Sequence, residues 1–157
     1  MEIIVGTNNQ GKLKEMQSGL KDPAIQLVSY RKYTTSQEQP AETGTTYAEN
    51  AYLKARFFQQ LIGRPVLGDD GGLTLTAFPD LLGIYTSRFF HSANPEEQNR
   101  ELLHLFEGQQ STRELTLSAT LVYTLDDDKL LQTEAALTGE LVEPRGTGGY
   151  GFDPIIY

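Results

Sequence analysis

Cysteine is absent from the 157 residues, which excludes disulfides, thiolate metal sites and cysteine nucleophiles together. Positive charge is scarce: 13 Lys and Arg face 21 Asp and Glu, for a formal charge of -8. Such a balance repels a nucleic-acid backbone and an anionic bilayer, so neither a nucleic-acid polymer nor a membrane is expected as a partner. Apolar runs are short, and none approaches the ~20 residues of a membrane helix. No basic region followed by a long apolar stretch opens the chain, and the expectation is a soluble, cytoplasmic protein. Histidine is limited to His91 and His104, which lack metal-ligand spacing, and no Gly-x-Ser-x-Gly elbow is present to support a serine hydrolase.

What remains is globular in composition, at 38% hydrophobic and 10% aromatic, and its length suits a single domain, with two lobes at most, over residues 1–157. Ile3 to Val5 is a short apolar run closed by a polar, glycine-bounded loop. Leu13, Met16 and Leu20 then fall at i, i+3 and i+7, so a helix follows. Ile25 to Val28 reads as a second strand and Thr34 to Gly44 as a surface loop. Thr46-Tyr47-Ala48-Glu49 has the capping-box pattern, and Gly63 and Pro65 stop the helix it opens. Pro65 to Gly68 reads as a strand delivering Asp69-Asp70-Gly71-Gly72 into a loop, with a further strand over Thr74 to Phe78. Asn94-Pro95-Glu96-Glu97 caps a helix expected to end near Gly108. Leu115, Leu117, Ala119, Leu121, Tyr123 and Leu125 alternate as in a half-buried strand. Asp126-Asp127-Asp128 makes a hairpin tip, and Leu130 to Thr138 return. The mixture implies α/β with a mixed sheet.

Three loops can carry chemistry. Gly6-Thr7-Asn8-Asn9-Gln10-Gly11-Lys12 fits the first seven positions of a P-loop between a strand and a helix, where backbone N–H groups and a lysine attract phosphate. Leu13 stands where a P-loop needs the magnesium-binding Ser or Thr, so a metal must be held elsewhere. The adjacent acids Asp69 and Asp70 are the best metal candidates. Asn50 and Lys54, at i and i+4 on one helix face, can present an amide and a cation to the same site. Glu42 and Glu49 are further acids, Glu49 being explained first by the capping box. Gly146-Thr147-Gly148-Gly149-Tyr150-Gly151 matches the dinucleotide fingerprint, but Phe152-Asp153-Pro154 follows in place of a helix. A loop whose Tyr150 or Phe152 stacks on a base, with Asp153 as hydrogen-bonding partner, is the better functional reading.

Taken in order, Thr7 to Lys12 with Glu15, Glu42 to Ala51 with Lys54-Ala55-Arg56, Gly68 to Leu73, Gly83 to Phe89 and Gly146 to Pro154 resemble the inosine/xanthosine triphosphate pyrophosphatase family. Five motifs in the family's order span essentially the whole chain. The resemblance implies an elongated, two-lobed α/β fold around a long twisted mixed β-sheet, usually a homodimer, with the active cleft between lobes. It implies Mg2+-dependent hydrolysis of ITP, dITP and XTP to the monophosphate and pyrophosphate, cleansing the nucleotide pool. Thr7, Asn8, Asn9, Gln10, Gly11 and Lys12 would contact the triphosphate, with Lys54, Gly71 and Arg88 adding to the substrate site. Asp70 would be general base and metal ligand, with Glu42 and Asp69 as further metal acids. Tyr150, Gly151, Phe152 and Asp153 would line the base pocket.

Three departures from the family pattern stand out. Gly71 replaces the family's loop serine, and Ala41-Glu42 replaces a pair of acids, so the metal acid is missing or shifted to Glu42. Relatives continue for several tens of residues to a lysine and a Ser-His-Arg motif that helps hold the purine, whereas this sequence stops at Tyr157. The expectation is either a piece of a longer protein or an impaired base pocket. Two other functions compete: a P-loop NTPase cleaving the β–γ bond, and a catalytically silent nucleotide-binding module.

Overall fold

Five strands form one sheet in the order β2-β1-β3-β4-β5 in the computed structural model, which describes every residue except Asp127 and Asp128. The strands are β1 (Glu2–Val5), β2 (Gln26–Ser29), β3 (Val66–Leu75), β4 (Glu114–Thr124) and β5 (Leu130–Glu140). β1 pairs parallel with both β2 and β3, with Ile4 opposite Val28 and Val66. Parallel partners need crossovers, which α1 (Gln10–Gly19) and α2 (Tyr47–Ile62) supply. Val66 N donates to Thr124 Oγ1 at 3.3 Å and Thr76 N to the Glu114 carbonyl at 3.0 Å, so β3 and β4 run antiparallel. The sheet is therefore mixed and the class α/β, as the sequence implies. Among the described residues no helix is long and apolar enough to cross a membrane.

Helix ends follow their capping residues. Asn9 Oδ1 accepts from Lys12 N at the start of α1, and Thr46 Oγ1 from Glu49 N at the start of α2. Gly63, at φ +67°, closes α2 in a left-handed conformation that suits glycine. α3 is the single turn Thr86–Phe89. α4 (Pro95–His104) begins at the Asn94 cap and ends earlier than the expected Gly108. From Leu105 on, N–H groups bond three residues back, Phe106 to Leu103 and Glu107 to His104, and the chain tightens out of the α geometry.

Two compact units emerge, Met1–Asp70 with Ala119–Glu134, and Gly71–Ser118 with Ala135–Tyr157. In the first, Ile4, Tyr30, Phe58 and Val66 form one buried cluster, the Tyr30 and Phe58 rings lying 4.1 Å apart, and Ala51, Ala55 and Val122 form another. In the second, Leu73, Leu75, Leu82, Leu102, Phe106, Leu115, Leu141 and Ile155 make a single core.

Two strand expectations need correction. Asp69-Asp70-Gly71-Gly72 is no loop: β3 runs unbroken through it, and both acids are buried. β1 ends at Val5, opposite Leu67, and Gly6 N bonds the Leu67 carbonyl at 2.8 Å. Gly68 to Asp70 therefore extend past the carboxyl end of β1, where open α/β sheets place their ligands. The separate strand over Thr74 to Phe78 is absent, because β3 stops at Leu75 and turns, with Phe78 N bonded to the Leu75 carbonyl. Along β4 the expected alternation changes sides. Leu115 is buried in the second unit's core, but Thr120, Val122 and Thr124 are the buried residues of the first unit, while Ala119 and Leu125 are exposed. Leu115 and Val122 belong to different cores, so a single alternating pattern cannot describe the strand. The returning strand β5 is exposed along nearly its whole length, and of the expected hairpin tip Asp127 and Asp128 lie outside the described residues.

Candidate active site

Glycine decides how the acids meet their lysines. A Cβ on Gly68 would collide with the Ala51 carbonyl and lie 2.8 Å from Ala55 N, so β3 and α2 touch backbone to backbone there. That approach sets Asp69 and Asp70 beside the α2 face that carries Lys54. Lys54 Nζ lies 2.5 Å from Glu42 Oε1 and 3.9 Å from Asp70 Oδ1, with its side chain only 15% exposed. Lys12 Nζ, from the first turn of α1, lies 2.6 Å from Asp69 Oδ2. Two lysines from two helices thus converge on two neighbouring buried carboxylates.

The phosphate-loop candidates fall in two places. Thr7 is buried, and its Oγ1 accepts from Asn9 N at 3.2 Å. Asn8 turns its amide to Tyr30, Arg31 and Gln39, which ties it to its own unit's framework. Gln10, Gly11 and Lys12 already belong to α1, so the seven residues do not form one continuous loop. The N–H groups of Gln10 and Gly11, in the opening turn, have no acceptor within the helix and carry the positive end of its dipole.

Asn50 departs from its reading as a site amide. Its Oδ1 accepts from Gly44 N at 2.8 Å, and a Cβ on Gly44 would sit 2.7 Å from that oxygen. Asn50 thereby fastens the segment bearing Glu42 to α2, one turn before Lys54. Glu49 behaves as a cap, with one shift from the expected box: its carboxylate accepts from the N–H and hydroxyl of Thr45. The Thr45 backbone and hydroxyl bonds hold its pKa below the usual carboxylate value.

As to metal, the donors on offer are carboxylate oxygens, which suit a hard cation. Asp69 Oδ1 is buried and has no hydrogen-bond partner among the described residues, a position that a cation would satisfy. Among the described residues, however, no three His, Cys, Asp or Glu side chains gather as a ready ligand set. Lys12 and Lys54 are the cations paired with these acids instead.

The base-pocket candidates lie in the second unit. Tyr150 is exposed, and its N–H donates to Asp153 Oδ2 at 2.8 Å. Phe152 packs 5.7 Å from the Phe90 ring against the core, and Tyr150 is the more exposed of the two aromatics. Asp153 pins the turn, and a Cβ on Gly149, itself at φ +85°, would meet Asp153 Cβ at 2.5 Å. Gly71 belongs to β3, and Arg88 lies on α3 with its guanidinium 5.7 Å from the Tyr85 ring centre. Sequence reasoning passed over Thr86, whose Oγ1 accepts from Leu73 N at 3.0 Å and donates to the Gly83 carbonyl. It also passed over Asn99, buried on α4 three residues before Leu102, where a polar residue on an apolar stripe was the available signal.

Comparison with known proteins gives a consistent result. The sequence model of the Ham1 family matches residues 3–157. A dITP/XTP pyrophosphatase of Deinococcus deserti is 35% identical over 99% of this chain and 73% of its own length. A dITP/XTP pyrophosphatase of Thermus thermophilus is 34% identical over 100% of this chain and 76% of its own. Among solved structures, a HAM1 protein from Coxiella burnetii superposes with a TM-score of 0.82 at 33% identity, covering 100% of this chain and 81% of that one. The Ham1 protein of Staphylococcus aureus does so at 0.79 and 26% identity, again covering 100% and 81%.

Proposed function

The chain belongs to the Ham1 family, and we propose that it hydrolyses the non-standard purine nucleoside triphosphates ITP, dITP and XTP to the monophosphate and pyrophosphate. The observation that carries this reading is the convergence of Lys12 and Lys54 on Asp69 and Asp70. A triphosphate brings about four negative charges, which an acidic protein must offset locally with such cations and with helix N-terminal amides. A bound Mg2+, held by Asp70 with Glu42 and Asp69, would supply further charge neutralisation on the phosphates.

On this reading Lys12 and Lys54 leave their carboxylates for phosphate oxygens, joined by the amides of Gln10 and Gly11. Thr7, Asn8 and Asn9 shape that turn, and Gly71 and Arg88 complete the substrate contacts. Asp70 orients a water and takes its proton as the water oxygen bonds the α-phosphorus; the bond to the bridging oxygen breaks and pyrophosphate leaves. Tyr150 stacks on the purine, while Gly151, Phe152 and Asp153 frame its edge. Inosine and xanthosine present an O6 acceptor where adenine presents an N6 donor, so a pocket that offers a donor there disfavours adenine by about 1–3 kcal/mol, roughly 5- to 150-fold.

Product analysis tests the reaction. IMP and pyrophosphate from ITP, with turnover abolished by EDTA and restored by Mg2+, are expected. Nucleoside diphosphate and orthophosphate would mean the P-loop alternative, already disfavoured by Leu13 in place of the magnesium-binding Ser or Thr. Comparable kcat/KM for ITP and ATP would defeat the base-pocket assignment. From the family resemblance we further propose a cytoplasmic homodimer, which light scattering reads as a mass of two chains.

A further inference from the structure

α4 turns one polar side chain inward. Leu102 is fully buried in the second unit's core, and Asn99, three residues earlier on the same face, is 6% exposed. Its Nδ2 donates to the Gly151 carbonyl at 3.3 Å. The orientation is settled by chemistry, since a carbonyl only accepts and the amide must offer its nitrogen there. Its Oδ1 is buried and has no partner among the described residues. An amide kept at a core position with half its capacity unmet costs stability, and such costs persist mainly where function uses the group.

The loop that Asn99 grips is glycine-rich and exposed, and is closed at its base by Arg145 N bonding the Pro154 carbonyl at 2.7 Å. Gly146, Gly149 and Gly151 all have positive φ, and residues 143–150 are exposed. Tyr150 N is tied to Asp153 and Phe152 rests on Phe90. Between them the Gly151 carbonyl is anchored by a side chain from α4, a helix capped by Asn94 and packed into the core through Leu102.

We infer that Asn99 is a positioning residue for purine selection: by holding the Gly151 carbonyl it fixes the turn that presents Tyr150 and Asp153 to the base. The inference rests on the proposed function, and it assigns Asn99 no contact with the phosphates.

The test compares the wild type with Asn99→Asp, isosteric but lacking the donor, and with Asn99→Ala. KM and kcat are measured with ITP and ATP, inhibition with inorganic triphosphate, which has no base, and melting temperature alongside. Expected are a rise of about 10-fold in KM for ITP, kcat within about threefold of wild type, and a matching loss of ITP over ATP preference. The inhibition constant of inorganic triphosphate stays unchanged in both variants. Unaltered preference in both variants overturns the inference, as does an equal loss of kcat and triphosphate affinity, which would mark Asn99 as structural only. A wild type with no preference for ITP overturns the functional reading and this inference with it, and is told apart by needing no variant.

Discussion

Lys12 Nζ stands 2.6 Å from Asp69 Oδ2 and so ties the first turn of α1 to the middle of β3. The two partners are unequal, the lysine side chain being 33% exposed and the carboxylate 6%. A partly exposed cation can leave; a buried carboxylate cannot follow it into water. On the proposed function, drawing Lys12 toward a phosphate would leave the Asp69 charge in need of another cation, and the Mg2+ proposed there would supply it.

Lys12→Met should then act twice. It strands the Asp69 charge, at a cost of about 1–3 kcal/mol in a site of this partial exposure, and it removes a phosphate partner. A lowered melting temperature with a KM for ITP raised about 10-fold is expected. In Lys12→Met/Asp69→Asn the melting temperature should recover, because the stranded charge is gone, whereas the KM should not.

Asp70→Asn separates chemistry from folding. The amide fills the same space without a buried charge, so the melting temperature should hold or rise, while kcat for ITP falls about 10²-fold or more if Asp70 is the base. Turnover like the wild type's would remove Asp70 from the mechanism.

Much of this was legible from residue order. Thr46 and Asn94 cap the helices that follow them in sequence, because side-chain capping is a local interaction that needs only neighbouring residues. Asp69 and Asp70 stand out as adjacent acids after an apolar run, but their place inside β3 was hidden. Acids and glycines read as loop unless partners from other segments offset the cost of their burial, and here those partners are Lys12, 57 residues away, and Lys54. The reversal of faces along β4 was hidden for a related reason, since Leu115 and Val122 answer to different cores. Asn99 escaped notice because its acceptor, Gly151, is 52 residues distant.

Acid should loosen the start of α2 through Glu49. Hydrogen bonds from Thr45 hold its pKa below the ordinary 4.5, so its ionised form is favoured by folding. Its contribution is present above pH 4.5 and disappears as pH falls through the lower, folded value. The melting temperatures of wild type and Glu49→Gln should differ by a constant amount from about pH 5.5 to 8 and converge as the pH falls through that lower, folded value. A difference that persists at low pH would mean the charge is not the source.

Gly68→Ala tests whether the backbone approach of β3 to α2 governs the site. The added methyl would collide with the Ala51 carbonyl and sit 2.8 Å from Ala55 N, both backbone atoms that cannot swing aside. The strand and helix must part, at about 1–3 kcal/mol by the usual cost of overpacking. Lys54 lies one residue before Ala55, so the same displacement moves its ammonium relative to Asp70, now 3.9 Å away. A shift of about 1 Å in catalytic geometry can cost about 10²-fold in rate. Gly63→Ala is the control, because no atom lies within 4 Å of its added Cβ and its strain is confined to the cap at φ +67°. Both variants should melt earlier than the wild type, but only Gly68→Ala should lose kcat beyond what its unfolded fraction explains. Equal specific activities in the two folded variants would show that the close approach serves packing and leaves the catalytic groups where they are.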